Sequence, residues 1–486
     1  MNDPNPDIGR GAFWNGVTAA ANQVVRFGLF MALARFVAPA ELGLVALGLV
    51  IIDLLQALAT FGIGEAVTQQ PQLDDEQAST AFWLSVGIGA CVTLAVAIAS
   101  PVIAVMAGKP ALGPVIASLS PMFLLVSLQT VHLARMAREF RFREIALRML
   151  VANLVGGGVG LALAFKGLGV WALVARSLTA PIVATTFLWI VHPWRPRWRF
   201  RSDVARRQLA FGGRIIGGEI VLVLRSRWID LVAGLMLAPA ALGLLRVGGQ
   251  CALLLLELTM MPFIHLAMPI LSRAGAQDSA RSVGTEYLTL AHLSAATIFP
   301  AFFGMAAVAD LLLPLMLGAR WAPAAELMPA LCAIAVPLQL TLLVGPALAA
   351  AGRPGEAFRW SVVQLAVTVP WTLAGAWLGL PYLVWSAVIA SALIVPAGLI
   401  RLRRVIHVSP GAVVAAATRP LLAAALMAAA VWCAKTWLAA ILPSAMTLGV
   451  CVVLGAIVYA ALSITMDPGL IAVFRASFAK RTPQES

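Results

Sequence analysis

Between Glu76 and Lys109, between Lys109 and Arg135, and again between Arg359 and Arg401, no residue is charged. An uncharged apolar run of that length satisfies the roughly 20 residues that a helix needs to cross a bilayer core. The whole chain follows suit. Of its 486 residues 61% are hydrophobic and 11% charged, with a mean hydropathy of +0.93, whereas a soluble domain carries about 25% charged residues. Apolar stretches set off by polar or Pro/Gly breaks predict spans at 12–36, 42–66, 80–106, 112–134, 147–166, 169–191, 208–236, 240–270, 284–308, 325–350, 358–377, 381–400, 418–436 and 444–464. The expectation is an all-α, polytopic integral membrane protein of about fourteen helices, with no room for a soluble catalytic domain. Gly379-Leu380-Pro381 divides the last uncharged run, and Leu311 to Gly318 is compatible with a re-entrant or interfacial piece.

The chain has 34 Lys+Arg against 21 Asp+Glu, a net +13. In a soluble protein such an excess would suggest nucleic acid; in this one its placement decides. With fourteen spans the termini and even-numbered loops share one side. There lie Arg10; Arg135, Arg138, Arg141, Arg143 and Arg148; Arg195, Arg197, Arg199, Arg201, Arg206 and Arg207; Arg273 and Arg281; Arg353 and Arg359; Arg401, Arg403, Arg404 and Arg419; and Arg475, Lys480 and Arg481. The opposite side has Arg35, Lys109, Lys166, Arg320 and Lys435. The positive-inside rule therefore puts both termini in the cytoplasm, and no nucleic-acid partner is expected. The loop Gln69 to Ser79 is the exception, being acidic at Asp74, Asp75 and Glu76, but acidic residues weigh little in topology. Trp194, Trp198, Trp321, Trp360, Trp377 and Trp437 fall near span ends as interfacial anchors. The first apolar segment contains Asn15, Asn22, Gln23 and Arg26 and does not read as a cleavable signal.

A repeat is visible at an offset of 200: Ala38-Pro39-Ala40-Glu41-Leu42-Gly43-Leu44 returns as Ala238-Pro239-Ala240-Ala241-Leu242-Gly243-Leu244. Both copies sit in the turn that opens a helix pair, spans 1 and 2 in one case and 7 and 8 in the other. Six spans per repeat is an even number, so both halves enter the membrane in the same sense, related by an axis along its normal. The expected organisation is an N-terminal six-helix lobe (1–192), a basic linker (193–207), a C-terminal six-helix lobe (208–404), and two extra helices with a tail (405–486). Two lobes around a central site is a transporter architecture.

Charges inside spans cost about 2.5–3.5 kcal/mol each on insertion scales, so each needs a partner or a watery cavity. The basic ones are Arg26, Arg176, Arg214, Arg225, Arg227 and Arg246; the acidic ones are Asp53, Glu219, Asp230 and Glu257. Depth at about 1.5 Å per residue pairs Asp230 with Arg246 and Arg214 with Glu257, and places Arg26 and Asp53 at mid-depth on consecutive helices. Arg176, Arg225 and Arg227 are then left with Glu219. The surplus suits a cationic cavity for an anionic ligand, since the planar guanidinium binds phosphate bidentately. Arg26 belongs to the same candidate cavity. Asn15, Asn22, Gln23 and Gln56 would offer hydrogen bonds to sugars. Asp53 and Glu257 are also candidate coupling groups. Nothing suggests an enzyme, a cofactor or a metal: there is no Walker A sequence, His132, His192, His265, His292 and His407 are scattered, and Cys91, Cys251, Cys332, Cys433 and Cys451 lie singly in apolar stretches as packing residues.

The segment Gln69-Gln70-Pro71-Gln72-Leu73-Asp74-Asp75-Glu76-Gln77-Ala78-Ser79-Thr80-Ala81-Phe82-Trp83 resembles the stretch that polysaccharide exporters, the Wzx-type lipid-linked oligosaccharide flippases of the multidrug/oligosaccharidyl-lipid/polysaccharide superfamily, carry in their colanic-acid-exporter-like branch. Also similar are Arg138-Glu139-Phe140-Arg141-Phe142, Gly167-Leu168-Gly169-Val170-Trp171, Gly318-Ala319-Arg320-Trp321-Ala322-Pro323-Ala324 and Gly352-Arg353-Pro354. Departures are Gln70, where the family usually has a basic residue, and Arg227, where a smaller polar residue is commoner. The resemblance implies a bacterial inner-membrane flippase that moves undecaprenyl-diphosphate-linked oligosaccharide toward the periplasm by alternating access, for exopolysaccharide, capsule or O-antigen. A polysaccharide polymerase and chain-length proteins are its implied partners. A peptidoglycan-precursor flippase and a multidrug-type antiporter of the same superfamily are the alternatives.

Overall fold

The computed structural model describes residues 22–70, 73–276 and 280–467. The beginning of the first expected span, with Asn15, and the charges Arg10, Arg475, Lys480 and Arg481 lie outside the described residues. All regular structure among the described residues is helical. By compactness the chain forms two units, Met1–Val247 and Gly248–Ser486. The first contains α1 (22–34), α2 (Pro39–Thr60), α3 (Ile63–Gln69), α4 (Asp75–Met106), α5 (Leu112–Leu119), α6 (Pro121–Arg138), α7 (Phe142–Phe165), α8 (Val170–Val191), α9 (Ser202–Met236) and the start of α10 (Pro239–Thr259). The second continues with α11 (Met261–Ala276), α12 (Ala280–Leu317), α13 (Ala322–Ala333), α14 (Ala335–Thr341), α15 (Val344–Ala350), α16 (Pro354–Leu378), α17 (Leu380–Ile406), α18 (Pro410–Leu438) and α19 (Ser444–Met466). Packing thus divides the chain inside α10, whereas the lobes proposed from the repeat divide it at the basic linker.

Twelve helical segments among the described residues are long and apolar enough to cross a membrane. Of the two remaining expected spans, the first is only partly described. The seventh is present as α9, but Glu219, Arg225, Arg227 and Asp230 make it too polar for the same class. Several expected single spans are broken. Span 2 is interrupted at Phe61 and Gly62, both at positive φ (46° and 61°), and span 4 at Ser120–Pro121. Span 8 breaks at Met260, just before Pro262, and span 10 becomes α13 to α15, with Pro337 and Pro346 inside it. Proline lacks the N–H that would continue the ladder. Conversely, α12 runs without interruption to Leu317, so Leu311 onward is helix and not a re-entrant piece; Gly318 ends it at φ +94°.

The two copies of the repeat meet each other. Pro39 and Pro239 open α2 and α10, the first helical turn being where proline's missing donor is harmless. A Cβ on Gly43 would stand 1.7 Å from the carbonyl oxygen of Pro239, and one on Gly243 1.9 Å from that of Pro39. The contact is reciprocal, backbone against backbone, and only glycine permits it. Nearby, Gly234 of α9 receives Leu47 of α2, and Lys109 donates to the carbonyl of Leu235, where cationic charge suits a helix C-terminus.

In the second unit α18 and α19 pack on α12, with Val308, Met427, Val431 and Cys451 buried between them. Polar ties hold the same three helices. The Lys435 ammonium donates to both Asp310 oxygens and to the Ala307 carbonyl, all at 2.8 Å. The Tyr459 hydroxyl donates to the Ala296 carbonyl at 2.8 Å, and His292 lies 2.7 Å from the Ala416 carbonyl and 2.8 Å from Asp467. Lys435, expected among the loop charges, is therefore a buried side chain whose three donors are all used.

Two outcomes are expected from thermal unfolding of purified protein. Gly43→Val or Gly243→Val should destabilise by about 1–3 kcal/mol through overpacking, whereas Gly249→Ala, with open space around it, should not. Asp310→Ala should destabilise by about 1–3 kcal/mol by leaving a buried ammonium under-satisfied.

Candidate functional site

Two gatherings of intramembrane polar groups in the first unit are built from residues that the sequence singled out. The first is built by α1, α7 and α8. Asn22 and Gln23 open the described part of α1, Gln23 being buried, and the Asn22 side-chain carbonyl accepts from Asn153 of α7 at 3.1 Å. One turn further along α1 comes Arg26. Opposite it on α8 is Arg176, half-buried, with its guanidinium 6.0 Å from the centre of the Phe30 ring. Arg26, of like sign, is within electrostatic reach of Arg176. Small residues let α7 and α8 close around this point: a Cβ on Gly160 would meet the Arg176 side chain at 2.8 Å, and one on Gly157 would meet Leu29 at 2.5 Å. Among the described residues Arg176 has no carboxylate within ion-pair distance. Arg176 thus lies in a weakly polar interior under the influence of a second cation, a setting in which a nearby anion would be favoured.

The second place is a chain of alternating charges between α2, α9 and α10. Arg227 meets Asp53 at 2.9 Å, and Arg246 meets Asp230 at 3.1 Å. Asp53 is within electrostatic reach of Arg246 and Asp230 as well. The four charges cancel. Arg227, assigned by the sequence to the empty cavity, is thus the partner of Asp53. The reason is rotational: depth along a helix limits which residues share a level, but the face each one presents depends on how α2 and α9 pack. Arg214 and Arg225 of α9 are exposed, and Glu219 is half-buried within range of Glu65. Glu257 lies on the part of α10 that belongs to the second unit, Arg214 in the first.

The sequence missed other polar groups. Arg148, counted with the loop charges, sits within α7 and donates to the Gln129 side-chain carbonyl at 2.5 Å, while the Gln129 amide donates to Thr185 at 2.9 Å. A lone glutamine in an apolar run was the available signal. Asn153, equally isolated in span 5, was another. In the second unit a cavity of about 380 Å3 opens between α12, α18 and α19, lined by Met305, Val308, Met427, Val431, Val452 and other apolar residues. Its walls are almost wholly apolar, Tyr459 and Cys451 being the lining residues with polar side-chain atoms. Among the described residues no group of three or more His, Cys, Asp or Glu could hold a metal.

A profile of the family described as polysaccharide biosynthesis protein matches residues 32–326. The chain belongs to that family. Among similar proteins, the lipopolysaccharide biosynthesis protein WzxC of Escherichia coli (strain K12) is 24% identical over 375 residues, covering 75% of this chain and 74% of its own. The succinoglycan biosynthesis transport protein ExoT of Rhizobium meliloti (strain 1021) is 22% identical over 377 residues, covering 76% and 74%. Among solved structures the lipid II flippase MurJ, in an inward closed conformation, matches with a TM-score of 0.77 at 12% identity, over 94% of this chain and all of that one. An inward-facing multidrug resistance MATE transporter of the MOP superfamily matches at 0.64 and 15%, over 80% and 98%. This polysaccharide biosynthesis family member is therefore a multi-pass membrane protein with a MurJ/MATE-like transporter fold. The family match takes in Asp53, Asn153, Arg176, Arg225, Arg227, Asp230 and Arg246, and begins after Asn22, Gln23 and Arg26.

Coupling within the alternating chain is measurable. Asp53→Ala and Arg227→Ala should each lower the unfolding midpoint, and the double variant should lose about 0.5–3 kcal/mol less than the sum of the singles.

Proposed function

We propose that this protein is a flippase for undecaprenyl-diphosphate-linked oligosaccharide. It works in a bacterial inner membrane with both termini cytoplasmic, moving its cargo to the periplasmic leaflet by alternating access and doing no covalent chemistry. The observation that carries the reading is Arg176, a half-buried arginine within a spanning helix whose charged neighbour is Arg26. A diphosphate is the headgroup that such a pair suits, because each guanidinium can present parallel donors to phosphate oxygens. Asn22, Asn153 and Gln23 stand close by to meet sugar hydroxyls. Membership of a polysaccharide biosynthesis family and the transport protein among its relatives support the same substrate class. A cationic site opposes the multidrug-antiporter alternative insofar as its cargo would be an organic cation.

Deleting the gene should abolish surface polysaccharide while lipid-linked repeat units accumulate on the cytoplasmic face; normal surface polysaccharide would overturn the proposal. In a complemented strain Arg176→Ala should lower surface polysaccharide about tenfold or more at unchanged protein level, the scale of losing a charge-assisted hydrogen bond. Arg176→Lys should retain part of the activity, keeping the charge but losing the fork.

A further inference from the structure

The acidic residues Asp74, Asp75 and Glu76 interrupt an otherwise basic set of loops, and the Ser79-Thr80-Ala81-Phe82-Trp83 segment beside them has no place in either polar cluster of the membrane interior. Both belong to the first turns of α4, or immediately precede it. With 32 residues, α4 is about 48 Å long, well beyond the roughly 30 Å of hydrocarbon, which leaves room for its acidic first turns outside the bilayer core. Asp74 caps it, accepting from the Gln77 amide at 2.6 Å.

Running across these turns is the connector between α8 and α9, residues 192–201, which has no regular secondary structure. The Ser79 hydroxyl donates to the Asp75 carbonyl and accepts from the Arg197 amide at 3.0 Å. The Thr80 hydroxyl donates to the Glu76 carbonyl and accepts from the Arg201 amide at 3.1 Å. A hydroxyl has one donor and two acceptor positions, so each satisfies its own helix and still captures a connector N–H. Both side chains are fully buried there. The Trp83 indole donates to the Arg197 carbonyl at 2.9 Å and stacks on Trp198, with ring centres 4.1 Å apart and planes at 23°. Phe82 packs edge-on against Trp194, which is itself buried and covered by Arg135 at 5.0 Å. Asp75 takes Arg135 at 2.9 Å and Arg197 at 3.8 Å, and Glu76 takes Arg199. Where the connector enters α9, a hydrogen bond from Arg201 holds the Asp203 carboxyl below the usual carboxylate range.

We infer that the start of α4 is a clasp for this connector: the Ser79, Thr80 and Trp83 side chains hold the 192–201 backbone as a fixed strap on the first unit, and Asp75 and Glu76 neutralise its arginines. The buried hydrogen bonds and the aromatic stack do the holding. The ion pairs of the connector arginines are well exposed to solvent, with side chains 36–62% exposed, a setting in which such pairs contribute little and are screened by salt. A strap held in this way does not act as a flexible hinge, so any motion of the transport cycle starts beyond Arg201.

Docking is tested by hydrogen exchange on the purified wild-type protein. The Arg197 and Arg201 amides should be protected although they lie outside any helix. Ser79→Ala with Thr80→Val should speed their exchange about tenfold, leaving amides in the middle of α7 unchanged. Raising salt should change it less than the double substitution does. Exchange as fast as in an unstructured chain in the wild type, or unaffected by the double variant, would overturn the clasp whatever the cargo. A disulfide between Ser79→Cys and Arg197→Cys tests the strap: surface polysaccharide should persist in the cross-linked protein and return to the same level on reduction. Loss of export on oxidation with recovery on reduction would mean that the strap must open. Loss of export from Arg176→Ala, which does not touch the clasp, keeps this outcome separate from the flippase proposal.

Discussion

A bilayer core has no water with which to satisfy a backbone amide or a charge, and the rest of this protein follows from that shortage. Each spanning segment is a helix because only a helix closes its own hydrogen bonds. Where proline or a positive φ breaks one, as at Phe61–Gly62, the following turn restarts within a residue or two, the Ala66 amide finding the Gly62 carbonyl at 3.0 Å. The same shortage governs the charges. Asp53 with Arg227, Asp230 with Arg246 and Lys435 with Asp310 are each paired because an isolated charge at such positions would be expensive.

Against that pairing, Arg176 acquires its meaning. Its surroundings supply a ring face and a second arginine in place of a carboxylate. Beside it the Asn22 and Asn153 side chains are joined by a hydrogen bond, and it is on this combination of an arginine and amides that the proposed flippase reading draws. The cavity of the second unit has the opposite character, being lined almost wholly by apolar side chains.

Small residues do the structural work that large ones cannot. Gly43 and Gly243 let two helix starts touch backbone to backbone, and Gly157 and Gly160 let α7 approach α1 and α8. At the connector the equivalent economy lies in the hydroxyls of Ser79 and Thr80, which serve their own helix and the strap together.

The fold class was legible in the sequence, because apolar run length answers to bilayer thickness and needs no knowledge of neighbours. The repeat was legible for a similar reason: identity at a fixed offset survives in the chain itself. The Asp230–Arg246 level match could also be counted off, since both lie a similar number of residues from the turn that joins their helices. Only the tertiary structure decided which face each helix turns to which neighbour. It gave Arg227 to Asp53, drew Lys435 and Arg148 out of the loops and into hydrogen bonds between helices, set the two repeat copies against one another, and laid the basic connector on the acidic start of α4. Helix rotation and the path of a connector depend on side chains far apart in the chain, and no local pattern encodes them.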